Sequence, residues 1–167
     1  MELRSVELIA RTLNGEDIRY LVVGGLAVNA HGYERFTQDL DLVIGLEPRN
    51  VERALRALMR IGYTPAIPIS PEDFANPDNR AAWHAEKSML VLKMWSDAHR
   101  RTPIDIFIRE PFDFELEWEH AVKFPLSEEV ALPVLRYSTL LDMKREAGRE
   151  KDLLDISALQ KLDPYRS

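Results

Sequence analysis

The 167-residue sequence predicts an α+β fold, a mixed β-sheet with flanking helices and a helical C-terminal third. Two observations carry that prediction. Short apolar runs rich in strand formers alternate with amphipathic stretches along the first two thirds. After residue 136 helical periodicity takes over, so helices pack against a sheet built earlier in the chain. A chain of this length suits one domain, residues 1–167, with the C-terminal helices over 136–163 packed on it.

The elements follow in order. Leu3, Val6, Ile9, Ala10 and Leu13 recur at helical spacing, and Asn14-Gly15 supplies a stop. Tyr20-Leu21-Val22-Val23 is too short for a helix and reads as a buried strand. It runs into Gly24-Gly25 and then a helix-like LAVNAHG. Residues 40–44 form a second strand. Pro48 opens an amphipathic helix through Val51, Leu55, Leu58 and Met59, which closes near Gly62. Four prolines and several polar residues over 64–82 predict a long loop or a short interrupted element. Ser88–Trp95 and Pro103–Ile108 are strand-like, with a basic turn between them. Residues 121–135 predict a hairpin or a pair of edge strands, since proline disfavours a central position. Ser138 or Thr139 can cap a helix over 139–147, and Gly148 breaks the pattern. The last helix, over 150–162, has Leu153, Leu154, Ile156, Leu159 and Leu162 as its apolar face.

Composition narrows the function. Hydrophobic residues make up 46% and charged residues 30%, an ordinary globular balance. The absence of cysteine excludes a disulfide framework, a thiolate zinc site and a cysteine nucleophile. His31, His84, His99 and His120 lack ligand spacing, which argues against a histidine zinc site. The start is charged and amphipathic, and no run of apolar residues is long enough to span a bilayer, so the expected location is cytoplasmic, with no membrane partner. A net charge of −6 argues against a general nucleic-acid binder. Two basic clusters, Lys93 with His99, Arg100 and Arg101, and Lys144 with Arg145, Arg149 and Lys151, read either as solvated faces or as local anion contacts. Trp83, Trp95 and Trp118 read as packing aromatics, although Trp83 and Trp95 flank an expected acceptor cleft.

Three features coincide in a way that carries chemistry. Gly24-Gly25 lies between a strand and a helix, where glycine lets a phosphate approach the main chain. Asp39 and Asp41 sit two apart on a strand, so they share a face at roughly 7 Å. Asp105 interrupts the apolar Pro-Ile-Asp-Ile-Phe-Ile. A carboxylate in an apolar strand is costly unless it is paired or binds a metal. Side by side, the two strands would gather three hard oxygen donors suited to Mg²⁺, and two such ions favour phosphoryl or nucleotidyl transfer.

The stretch LVVGGLAVNAHGYERFTQDLDLVI resembles the first motif of the DNA polymerase β-like nucleotidyltransferase superfamily. Together with PIDIFI and the C-terminal LLDMKREAGREKDLLDISAL, it is most similar to the small AbiEii-like (type IV toxin) group. Gly24-Gly25 departs from the more common Gly-Ser of that motif and lacks its hydroxyl. The resemblance implies a nucleotidyltransferase fold, with Asp39, Asp41 and Asp105 as ligands of two Mg²⁺ ions, Mn²⁺ being the alternative. Asp105 doubles as candidate general base. It further implies that Gly24, Gly25, Arg35, Thr37, Lys151 and Asp152 contact nucleotide and that Lys144 neutralises the triphosphate. Read from helical spacing alone, Lys144, Arg145, Asp152 and Asp155 are equally helix-surface charges. The implied donor is an NTP, and the acceptor is a hydroxyl of RNA, a protein or a small molecule. A cognate antitoxin is the further implied partner. The second reading is a catalytically weak nucleotide-binding or interaction protein of a toxin–antitoxin pair.

Overall fold

The computed structural model describes residues 1–163, so the last four residues of the expected 1–167 unit lie outside it. Its strands are β1 (Tyr20–Val22), β2 (Leu40–Ile44), β3 (Thr64–Pro65), β4 (Val91–Trp95), β5 (Ile104–Phe107), β6 (Val122–Pro125) and β7 (Ala131–Val134). They form one mixed sheet in the order β3-β4-β5-β2-β1-β7-β6. The β2–β5 and β1–β7 pairs are parallel and the other pairs antiparallel. The helices are α1 (Leu3–Gly15), α2 (Gly24–Ala30), α3 (Pro48–Arg60), α4 (Pro71–Ala75), α5 (Pro77–Lys87), α6 (Phe114–Glu119), α7 (Tyr137–Ala147) and α8 (Glu150–Leu162).

Strand alternation decides which side of the sheet does what. Leu92 and Met94 of β4 and Ile104 and Ile106 of β5 are fully buried. They join one core with Val6, Ile9 and Leu13 of α1 and Val51, Leu55 and Leu58 of α3. Burying each such side chain contributes roughly 1.5–3 kcal/mol. That surplus lets the opposite face carry Lys93, Asp105 and Asp41. The start of α3 is fixed by Pro48 at its first position and by the Glu47 carboxylate, which accepts from the amides of Arg49 and Asn50 at 3.2 and 2.9 Å.

Several expectations need correction. The proline-rich segment over 64–82 is not a long loop. Pro71 and Pro77 each open a helix, capped by Ser70 and Asn76, so proline starts elements here where it was read as breaking them. Helix α6 lies in a stretch for which the sequence pattern predicted nothing. The hairpin over 121–135 exists, with β6 at the sheet edge, but β7 is interior despite Pro133, wedged between β6 and β1. Helix α7 begins at Tyr137, so Ser138 and Thr139 fall inside it rather than at its cap.

The largest correction concerns α8. Its expected apolar face is mostly outside, with Leu153, Leu154 and Leu162 at 57%, 62% and 58% exposure. The residues it buries are Asp152, Asp155 and Leu159. This helix docks through charge.

Candidate active site

Because β2 and β5 run parallel in register, Asp41 and Asp105 stand beside each other on neighbouring strands, a spacing of about 4.8 Å between backbones. Asp39 lies two residues back on the same face, at the mouth of β2. On the far side of Asp105 its register partner is Lys93 of β4. The Lys93 ammonium is 2.9 Å from Asp105 Oδ1 and 3.7 Å from Asp39 Oδ1, and its side chain is half-exposed. Contact with Asp105, then the nearby charge of Asp39, raises the lysine pKa against the effect of partial burial. The Asp105 contact is an ion pair to a buried carboxylate oxygen.

Asp41 is pressed against the start of α2. Gly24 has φ +62°, and a Cβ there would lie 2.6 Å from Asp41 Cγ, inside van der Waals contact. Both the backbone angle and the space demand glycine. A Cβ on Gly25 would lie 2.7 Å from Thr37 Cβ, so the Thr37 side chain fills the volume a residue-25 side chain needs. The Thr37 hydroxyl donates only at 3.5 Å, to the Asp39 carbonyl. Burial first, then the charges of Asp105 and Asp39, push the Asp41 carboxyl up to about 6. A hydrogen bond from the Gly25 amide and the charge of Lys151 oppose that rise.

A cleft of about 1090 Å³ opens over these residues. It is lined by Gly24, Gly25, Asp39, Asp41 and Asp105 together with Arg35, Lys144, Arg149, Lys151 and Asp152. There Arg35 grips Asp155 with two hydrogen bonds, at 2.6 and 2.8 Å. Lys144 reaches Asp155 at 2.7 Å and Asp152 at 3.3 Å, and Arg149 reaches Asp152 at 2.6 Å. Both carboxylates are almost fully buried, at 1% exposure. Burial pushes Asp152 upward, but Arg149 and Lys144 outweigh it and hold the carboxyl below its ordinary value. Three cations share two anions in this network, leaving one net positive charge beside the cleft.

The structure thus brings Asp39, Asp41, Asp105, Gly24, Gly25, Arg35, Thr37, Lys144, Lys151 and Asp152 to one cleft. It gives some of them different surroundings from those expected. Lys144 is buried with its charge engaged, and Arg35 and Asp152 are wired into the same network. Trp83 stacks on Phe74, and the exposed Trp95 belongs to the outer strand pair; neither lines the cleft. Sequence reasoning missed the roles of Lys93 and Asp155. The signal for Lys93 was a lysine alternating with Leu92 and Met94, but its pairing with Asp105 depends on a register that no local pattern reveals.

The acids fit a hard divalent cation. They offer only oxygen, and an ammonium is already drawn between Asp39 and Asp105, a sign that positive charge is favoured there. Among the described residues no three acidic or imidazole groups are gathered into a metal cage.

Comparison with known proteins gives the architecture a name. No protein-family profile matches the sequence, and no curated protein matches it. Solved structures do match. A Thermotoga maritima protein provisionally assigned as a nucleotidyltransferase superposes with a TM-score of 0.59 at 14% identity, covering 98% of this chain and 93% of that one. The fold is that of the nucleotidyltransferases. The lincomycin-bound lincosamide adenylyltransferase LnuA gives TM-score 0.59 and 14% identity over 94% of this chain and 95% of its own. An antigenic nucleotidyltransferase-like protein from Paracoccidioides brasiliensis gives 0.56 and 17% over 96% and 76%. In this nucleotidyltransferase fold, the acids of β2 and β5 and the glycines of α2 share one mouth. Among the described residues no helix is long and apolar enough to cross a membrane.

Proposed function

We propose that this protein transfers a nucleoside monophosphate from an NTP to a hydroxyl acceptor, with Mg²⁺ or Mn²⁺ held by Asp39, Asp41 and Asp105. The observation that carries the reading is the register pairing of Asp41 with Asp105 in a cleft bordered by a network of three cations and two anions. Held by these carboxylates, divalent cations would supply charge compensation for the attacking and leaving oxygens. The acceptor oxygen bonds to the α-phosphorus while the bond from that phosphorus to its bridging oxygen breaks. Pyrophosphate leaves with the electron pair, and the hydroxyl proton passes to Asp105 or water. Lys151 and Arg149 face the phosphates, and the buried Lys144 fixes the carboxylates that position Arg35 and Arg149. The fold shared with LnuA over nearly the full length of both chains supports an acceptor bound without a separate domain.

A finer reading places the chain among AbiEii-like toxins, on the strength of its first motif and its C-terminal Arg-x-Lys-Asp-x-x-Asp segment. One observation favours the alternative, a catalytically weak nucleotide-binding or interaction partner of an antitoxin: Gly25 offers no hydroxyl, and Thr37 fills its space. Calorimetric titration of the four NTPs, with and without Mg²⁺, tests both. Metal-dependent binding that is lost in the Asp39→Asn/Asp41→Asn protein supports the transferase site. Absence of binding to the wild type rejects it, and binding without pyrophosphate release on adding acceptors favours the alternative.

A further inference from the structure

Beyond Asp105 the chain runs through Phe107, at the end of β5, to the exposed Arg109, while Ile106 and Ile108 between them turn inward. Phe107 is the register partner of Val91, and both line the cleft, giving it an apolar floor next to the acids. Arg109 lies four residues past Asp105, two residues beyond the end of β5. Its Nη1 meets His84 Nε2 at 2.8 Å. His84 Nδ1 is 3.2 Å from the Met89 carbonyl. A carbonyl can only accept and a guanidinium can only donate, so the ring carries its hydrogen on Nδ1 and presents a bare Nε2. The histidine therefore aims Arg109 without neutralising it.

That is unusual within this cleft. Arg35, Lys144 and Arg149 all spend their charge on Asp152 or Asp155. Among the described lining residues, only Arg109 and Lys151 are basic side chains with no carboxylate at ion-pair distance. Lys151 acts on Asp41, at the phosphate end. Arg109 stands at the other end, past the acid that faces the acceptor. The neighbouring carboxylate does not pair with it: Glu110 accepts from the Leu46 amide at 2.8 Å.

We infer that Arg109, aimed by His84, is the anchor for an anionic group on the acceptor, so that the acceptor is a small hydroxy acid whose apolar body lies over Phe107 and Val91. The role of its hydroxyl rests on the transferase reading; the anion site does not. A carboxylate contact to the exposed Arg109 guanidinium is expected to give about tenfold in affinity.

The test is calorimetric binding of ω-hydroxyoctanoate, ω-hydroxydecanoate and ω-hydroxydodecanoate, each against the diol of the same length. It is run on the full chain, with and without Mg²⁺ and an α,β-methylene NTP. At least one acid is expected to bind about tenfold or more tighter than its diol. Arg109→Gln should erase that preference while leaving NTP affinity within about twofold, and Arg109→Lys should keep part of it. Equal affinity of acids and diols for the wild type, or no binding by any of them, overturns the proposal. So does an Arg109→Gln protein that loses NTP affinity, because the guanidinium would then belong to the donor. If the wild type binds no NTP the transferase reading falls, while the acid–diol comparison on nucleotide-free protein still decides the anion site.

Discussion

At the scale of single residues, Asp41 is held in a state that costs the unliganded protein. Its carboxyl rises from 3.8 to about 6 because it is buried beside two other acids. The folded chain therefore binds the proton more tightly than the unfolded chain does. Stability from this group is fully present below about 4 and is lost as pH climbs through about 6, by at most about 3 kcal/mol. Asp41→Asn removes that slope. The variant is expected to melt higher than wild type at pH 7 without metal, while losing metal-dependent NTP binding; thermal melts across pH 4 to 8 check the first part. Lys93 makes a milder contribution of the opposite kind. Its half-exposed ion pair is worth about 0.5–1 kcal/mol, so Lys93→Met should tighten Mn²⁺ binding about 2- to 5-fold in a direct titration. Gly25→Ala meets Thr37 and is expected to destabilise by about 1–3 kcal/mol. Adding Thr37→Gly should recover most of that loss in denaturant unfolding, and failure to recover would show that the strain lies in the backbone.

At the scale of elements, α8 is fastened by two buried carboxylates rather than by its leucines. Removing one member of a buried charge network strands the others, at about 3–5 kcal/mol. Asp155→Ala should therefore cost more than truncating Leu153, Leu154 or Leu162, which are largely exposed. It should also weaken NTP binding, because Arg35 and the loop carrying Thr37 and Asp39 lose their tether; urea unfolding and calorimetry read the two effects separately. The same helix shows why legibility was uneven. Apolar period identified α8 as a helix but picked the wrong face, since periodicity scores leucine as buried and aspartate as exposed. Asp39-Leu40-Asp41 and Asp105 were readable because an acid inside an apolar strand is locally anomalous. Pro71 and Pro77 were misread because proline marks both a break and a helix start, and only the preceding Ser70 and Asn76 separate the two cases. Lys93 and Arg109 stayed out of reach because their partners are set by strand register and by α5, which sequence periodicity did not find.

At the scale of the whole molecule, the two unusual carboxyls bend the pH profile from opposite sides. Asp152, held below its ordinary value, contributes stability that is present above the ordinary carboxylate range and is lost as pH falls through its own pKa. Asp41 contributes least above about 6. Metal-free protein should therefore be most stable in mildly acidic buffer, and saturating Mg²⁺ should lift the neutral side of the curve more than the acidic side.

The charges lining the cleft also bear on how the proposed donor would arrive. The chain carries a net charge of −6, so a bare triphosphate would approach against repulsion and meet carboxylates as readily as cations. On the proposed reading, a triphosphate already wearing its magnesium would bring a positive end for the strand acids and a negative end for Lys151. The expected outcome in stopped-flow binding is that the metal complex is captured faster than its two components added in sequence, with added salt narrowing the difference.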